Sequence, residues 1–164
     1  MRDKMKGIII YYSLSGNTKK IAEQIAKQFN WDSVEIQTVK GFPKNKAAVM
    51  FYGGAMASFG ICPKIKPVSI SLDSYEHIVI GTPVWAGKCA PAMRSFIKAH
   101  DLSHKKVDVF TCSGGGENEK CIAELKEMIP LLKNHVSLID SNQADSKDNE
   151  QKLTSFMRMI HDKQ

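Results

Sequence analysis

Near its beginning the chain runs Ile8-Ile9-Ile10-Tyr11-Tyr12 and then breaks at Ser13-Leu14-Ser15-Gly16-Asn17-Thr18, where a helical pattern starts without a spacer. The apolar run reads as a buried strand. Ser13, Ser15, Asn17 and Thr18 are hydrogen-bonding residues that suit a helix N-cap. Backbone N–H groups at such a turn, with the positive end of a helix dipole behind them, form a phosphate site. The loop holds no Lys and no GxxxxGK[ST], which excludes a nucleoside-triphosphate loop. It holds no G-x-G-x-x-G either, so the dinucleotide fingerprint is absent. What remains suits a terminal monophosphate bound by hydroxyls and backbone amides.

Strand and helix patterns alternate along the rest of the chain. Gly7 to Tyr12 is the first strand, and Asn17 to Phe29 carries Ile21, Ile25 and Phe29 at helical spacing. Val34 to Val39 alternates apolar and polar, as an edge strand does. Pro43 opens a helix over Lys44 to Phe59, interrupted by Gly53-Gly54, and Gly60 to Glu76 reads as a long connection. Ile78 to Ile80 is the central strand, and Pro91 begins a helix with Met93, Phe96, Ile97 and His100 on one side. Val107 to Thr111 is a strand, and Asn118 caps a helix striped by Cys121, Ile122, Leu125, Met128 and Ile129. Val136 to Ile139 is the last strand and Asp148 to His161 the last helix. Five strands, each followed by a helix, predict one α/β domain over residues 1–164: a five-stranded parallel sheet with right-handed crossovers and helices on both faces.

Composition narrows the classes. With 43% apolar and 24% charged residues, the 164-residue chain can bury one core. No stretch approaches the ~20 apolar residues that span a membrane. Met1-Arg2-Asp3-Lys4-Met5-Lys6 leads straight into the first strand, with no visible secretory signal. Cys62, Cys89, Cys112 and Cys121 are widely spaced without a CxxC, which fits free thiols in a reducing, cytoplasmic setting. The net charge is +6, spread over lysine pairs without interleaved aromatics, so a solvated basic surface is expected and no nucleic-acid site. None of His77, His100, His104, His135 and His161 stands at metal-ligand spacing, and no metal site is expected.

The first segment resembles the FMN-phosphate signature of the flavodoxin family. That pattern asks for two apolar residues, an aromatic, a hydroxyl residue, a small residue, Thr, Ala and an apolar residue at set spacings. Ile9, Ile10, Tyr11, Ser13, Gly16, Thr18, Ala22 and Ile25 meet it. The resemblance covers nearly the whole chain and implies a flavodoxin-like three-layer sandwich, strand order 2-1-3-4-5, with FMN as cofactor. In sheets of this kind ligands bind beyond the carboxyl ends of the strands, where strand order reverses. The loops after the first, third and fourth strands are then expected to form one site. Ser13, Leu14, Ser15, Gly16, Asn17 and Thr18 would hold the phosphate.

The second loop, Gly81 to Pro91, holds Thr82-Pro83-Val84-Trp85-Ala86-Gly87-Lys88 as its candidate contacts. Trp85 is placed there to stack on a planar ring, and Gly87 allows close backbone approach and a peptide flip. By resemblance, a peptide within Trp85 to Lys88 would bond the flavin's reactive nitrogen. The third loop, Cys112-Ser113-Gly114-Gly115-Gly116-Glu117, offers exposed N–H groups for the pyrimidine edge. It contains no aromatic, so one flavin face is expected open unless Phe51, Tyr52 or Phe59 folds over it. Cys89 and Cys112 are expected as packed thiols.

These features imply an FMN-dependent redox protein of the electron-carrier kind, or alternatively an NAD(P)H-dependent oxidoreductase reducing a quinone or similar acceptor. A receiver domain is poorly matched, because the strand ends lack the acidic pocket it needs. Carrier flavodoxins are usually acidic, so this basic chain weighs against a simple electron shuttle or implies partners with an acidic docking face. One cation, Lys88, stands against one carboxylate, Glu117, in the ring loops, which implies a less reducing flavin than an acidic flavodoxin's. The partners expected are FMN and either a redox protein or NAD(P)H with a small acceptor. No membrane partner is expected, and the reading admits a homodimer.

Overall fold

The computed structural model describes residues 6–162, so the expectation for Met1 to Met5 lies outside the described residues. Strand β1 (Gly7–Tyr11) is buried along its whole length, and its loop opens helix α1 (Asn17–Phe29). There follow β2 (Asp32–Glu35), α2 (Lys46–Ser58), β3 (His77–Trp85), β4 (Lys88–Cys89) and α3 (Pro91–Ala99). The chain continues with β5 (Lys106–Ser113), α4 (Glu119–Met128), β6 (Leu132–Ile139) and α5 (Asn149–His161). The parallel strands lie in the order β2-β1-β3-β5-β6, which is the expected 2-1-3-4-5. The addition is β4, which turns back antiparallel on β3.

Strand side chains alternate between two faces, and both faces here are covered. Ile8, Ile10, Ile78, Ile80, Val107 and Val109 pack with Met93 and Phe96 of α3 and Ile122 and Leu125 of α4. Ile9, Val79, Phe110 and Leu138 pack with Ile25 of α1 and Phe156 and Ile160 of α5. Each such side chain contributes about 1.5–3 kcal/mol of burial free energy. Among the described residues no helix is long and apolar enough to cross a membrane.

Four local expectations are corrected. The edge strand was expected at Val34 to Val39, but its ladder with β1 covers Asp32 to Glu35. Beyond Ile36 the backbone bonds to the long connection instead, through Lys66 N–H to Gln37 O (2.7 Å) and Val39 N–H to Lys64 O (2.9 Å). The central strand does not stop at Ile80: its ladder with β5 continues to Pro83 opposite Cys112, and β4 then pairs Val84 and Trp85. Helix α2 starts after Asn45, whose Oδ1 accepts from Ala47 N–H and Ala48 N–H, rather than after Pro43. The last strand was expected from Val136, but β6 starts at Leu132 and takes in His135.

At the amino end of the sheet His77 Nε2 lies 2.6 Å from Asp108 Oδ2, both buried. Asp108 Oδ1 accepts from the Asn134 backbone N–H and its Nδ2, each at 2.8 Å. Burial pushes the Asp108 carboxyl up, but the bonds from His77 and Asn134 outweigh it and hold it below its ordinary value.

Candidate functional site

The loop after β1 is built around a glycine. Gly16 takes the left-handed conformation (φ 92°) as N-cap of α1, and its carbonyl closes the first helical bond with Lys20 N–H. Ser13 Oγ accepts from the N–H groups of Gly16 (3.1 Å) and Lys19 (3.2 Å). The donors therefore converge at the positive end of α1, with the Ser13 hydroxyl among them. The expectation that a side chain of this run caps α1 in the usual way is corrected, since Gly16 holds that position. Asn17 Nδ2 donates to Ser15 Oγ, and Thr18 is buried against the Cys112 thiol.

The second loop is a hairpin. Trp85 and Lys88 pair across a two-residue turn in which Ala86 (φ 48°) and Gly87 (φ 76°) are both left-handed. Thr82, expected as a ligand contact, is fully buried with its hydroxyl used within the protein as a brace. It donates to Pro83 O (2.9 Å) and accepts from Ala90 N–H (3.0 Å), closing the base of the hairpin. Trp85 is half-buried and meets Tyr12 and Phe42 edge-on, at 5.8 Å and 5.3 Å between ring centres. Gly53 of α2 lies against the indole. Gly53 thus gives α2 a close approach to the hairpin, and the double glycine does not break the helix.

Two hydrogen bonds at Gly116 shape the third loop. Its N–H donates to Ser113 Oγ (2.8 Å), and its carbonyl accepts from Ser137 Oγ on β6. Gly114, Gly115 and Glu117 are exposed. Asn118 does not cap α4 with its side chain, as expected, but donates from Nδ2 to Thr111 Oγ1 (3.0 Å).

A fourth loop, which sequence reasoning missed, joins these three. Asp140 N–H donates to Ser113 O, and Ser141 Oγ donates to Asn17 Oδ1 (3.0 Å). Burial pushes the Asp140 carboxyl up, partly offset by its bond with Asn17. The available signal was its position just after the last strand, on the same edge as the other loops.

The loops enclose a cleft of about 140 Å³. Leu14, Ser15, Asn17, Thr18, Pro83, Val84, Trp85, Cys112, Ser113, Gly114 and Asp140 line it. Ser13 and Gly16 stand behind it in the first loop. Ala86, Gly87 and Lys88 form the hairpin tip, and Gly115, Gly116 and Glu117 form the far side of the third loop. A larger groove of about 270 Å³ between α1 and α5 shares Asn17 and Cys112. Its other walls are mostly helix side chains such as Gln24 and Glu150, so the convergence of strand ends marks the smaller cleft as the site. Of the three aromatics that the sequence left to fold over it, Phe51 and Phe59 stand exposed to solvent, and Tyr52 packs on Phe42.

Burial pushes the Cys112 thiol up to about 12, against a smaller lowering by Thr18, so it stays protonated near neutral pH. Burial and Glu124 push the Cys89 thiol up as well. A Cβ on Gly87 would lie 3.5 Å from the Lys120 side chain, so Lys120 stands beside Lys88 at the hairpin tip. Two cations therefore flank that turn, where the sequence suggested one.

A sequence model of one protein family, described as Flavodoxin, matches residues 6–157. Among solved structures, a flavoprotein in complex with FMN from Lactobacillus acidophilus NCFM matches with a TM-score of 0.71 and 24% identity, covering 90% of this chain and 98% of that one. A protein from Bacteroides eggerthii DSM 20697 matches at 0.73 and 23%, covering 95% and 98%. Oxidised Flavodoxin 2 from Bacillus cereus matches at 0.59 and 17%, covering 98% and 100%. At these identities the likeness is one of fold.

Proposed function

The chain belongs to the flavodoxin family, and from that premise we propose that it binds FMN and passes electrons through it to a partner. The observation that carries this is the donor set at the start of α1. The N–H groups of Gly16 and Lys19 donate to the Ser13 oxygen at the positive helix end, which leaves its O–H to donate beside a cleft walled by Trp85. These donors fit a phosphate monoester and carry no competing charge. Bound FMN would supply one- and two-electron chemistry.

This chain's residues do the rest. Ser13 and the α1 amides hold the phosphate. Asp140, opposite Asn17, suits the hydroxyls of a polyol chain as an acceptor. Thr82 fixes the hairpin, so Trp85 and the Ala86-Gly87 peptide keep one geometry. Lys88 and Lys120 at the tip favour added negative charge nearby, which supports a flavin less reducing than an acidic flavodoxin's.

The alternative of an NAD(P)H-dependent oxidoreductase draws on one observation. No aromatic of α2 or of the third loop lines the cleft, which leaves room for a nicotinamide or a small acceptor.

FMN titration of the wild type and of Ser13→Ala and Thr18→Ala tests the binding reading. Each substitution is expected to weaken FMN by about 1–3 kcal/mol, roughly 5- to 150-fold. Unchanged affinity in both would overturn the assigned loop. An anaerobic visible spectrum then separates the two activities. Rapid bleaching by NADH or NADPH alone means the oxidoreductase, whereas reduction only by dithionite or a reductase protein means the carrier.

A further inference from the structure

Helix α2 is apolar on every side. Met56 and Ala57 face inward and Gly53 meets Trp85, as a packed helix requires. Its outer side should then be polar. Instead Met50 is 71% exposed and Phe51 84%, and just past the helix end Phe59 is 82% and Ile61 45% exposed. Ile61 N–H bonds to Met56 O, which keeps it against the helix end. No charged residue occurs from Ala47 to Pro63. Single exposed apolar residues are ordinary, but this run of them between Met50 and Ile61, in a segment without charge, marks an interaction face.

The chain segment that carries this patch has one sign of charge. From Ile36 to Leu72 the chain has no Asp or Glu, while Lys40, Lys44, Lys46, Lys64 and Lys66 are all exposed. The bonds between Gln37–Val39 and Lys64–Lys66 bring Lys40, Lys64 and Lys66 onto one ribbon. Lys44 and Lys46 sit at the start of α2, whose first turn holds no acid and whose dipole adds positive potential.

We infer that this face docks reversibly on an anionic lipid surface. Phe51, Phe59, Met50 and Ile61 enter the boundary between headgroups and acyl chains, and the lysines contact anionic headgroups. Stable peripheral attachment takes two signals, an apolar insertion and a basic patch, and both are present. A second copy of the chain fits less well, since two-fold pairing would set five lysines against five with no acid between them. An acidic protein would need a fitted hollow for each projecting phenyl ring, whereas lipid accepts them without shape complementarity. The expectation of no membrane partner rests on the lack of a spanning segment, which surface docking does not need. Because α2 also carries Gly53 against Trp85, docking brings the candidate cleft close to the bilayer.

The test is co-sedimentation of the full chain, with and without added FMN, with phosphatidylcholine vesicles containing about 30% phosphatidylglycerol or none. Binding is expected only to the mixed vesicles, falling as salt rises from about 0.05 M to about 0.5 M. Lys44→Gln and Lys46→Gln should each weaken it by about fivefold. The double variant Phe51→Ser/Phe59→Ser, at exposed positions, should keep the wild-type circular dichroism and lose binding by more than about tenfold. Undiminished binding by that variant would mean plain attraction of a basic protein and overturn the inference, as would equal binding to pure phosphatidylcholine. Failure to bind mixed vesicles also overturns it. If the wild type is then a dimer by sedimentation equilibrium and the phenylalanine variant a monomer, the face belongs to a second copy. Because the vesicle readout does not depend on FMN, it fails separately from the cofactor reading.

Discussion

Gly53 lies against the indole of Trp85 so closely that a Cβ at residue 53 would stand 2.9 Å from two ring carbons. The contact joins α2, from before the central strand, to the hairpin that follows it. It also explains Gly53 within a helix, where a glycine costs about 0.5–1 kcal/mol relative to alanine. Gly53→Ala regains that amount but overpacks the contact at about 1–3 kcal/mol. A net loss of about 1 kcal/mol in urea unfolding is expected, with a shifted Trp85 emission. A more stable variant with unchanged emission would show the contact to be loose.

Ala86 is the reverse case, a side chain where glycine belongs. At φ 48° it pays the left-handed cost of about 1–2 kcal/mol, next to Gly87 at φ 76°. Ala86→Gly relieves this but raises unfolded-state entropy by about 0.4–1 kcal/mol. A net gain of about 0.5–1 kcal/mol is expected, raising Tm by about 2 °C in a thermal melt.

Arg94 on α3 is a buried hub. Its guanidinium lies 2.6 Å from Glu124 Oε1 and donates to Ala57 O and Ile61 O at the end of α2. Glu124 Oε2 in turn accepts from Cys89 N–H in the hairpin. Arg94→Met strands a partly buried carboxylate and two carbonyls, so a loss of about 3 kcal/mol is expected. Hydrogen exchange should rise most at the end of α2 and around Cys89. A uniform rise across the sheet would refute the local role.

Asp108 sets a pH dependence at the other pole. Burial raises its carboxyl pKa, but the bonds from His77 and Asn134 bring the net shift below the ordinary 3.8. A carboxylate depressed on folding contributes stability above its unfolded pKa and loses it as pH falls through the folded one. Wild-type stability attributable to this group should therefore be full above about pH 5 and decline below about pH 4. Asp108→Asn should be less stable at neutral pH and show a flatter acid limb in urea titrations. Parallel acid limbs would exclude Asp108 as a contributor.

Much of this arrangement is readable along the chain because its signals are local. Three isoleucines in a row require burial on both faces, and the spacing of Ile21, Ile25 and Phe29 requires one packed helix side. The run from Ser13 to Thr18 joins a strand end to a helix start whatever lies around it. Where glycine or proline interrupts a pattern, local reading stops too soon. Strand β3 runs through Gly81 and Pro83 because β5 and β4 offer partners there.

By itself, then, the sequence determined the alternation of elements, the strand that feeds the donor-rich turn and the three glycine-bearing loops. Neighbouring residues alone decide periodicity, capping and turn chemistry. Tertiary structure decided which side chains the cleft keeps. It buried the Thr82 hydroxyl as a brace, brought Asp140 and Ser141 to Asn17, set α2 against Trp85 and left Phe51 and Phe59 in solvent. Those outcomes depend on contacts between residues as far apart as Asn17 and Ser141. Packing free energy across such separations, and not any local pattern, selects among the loop arrangements the chain allows.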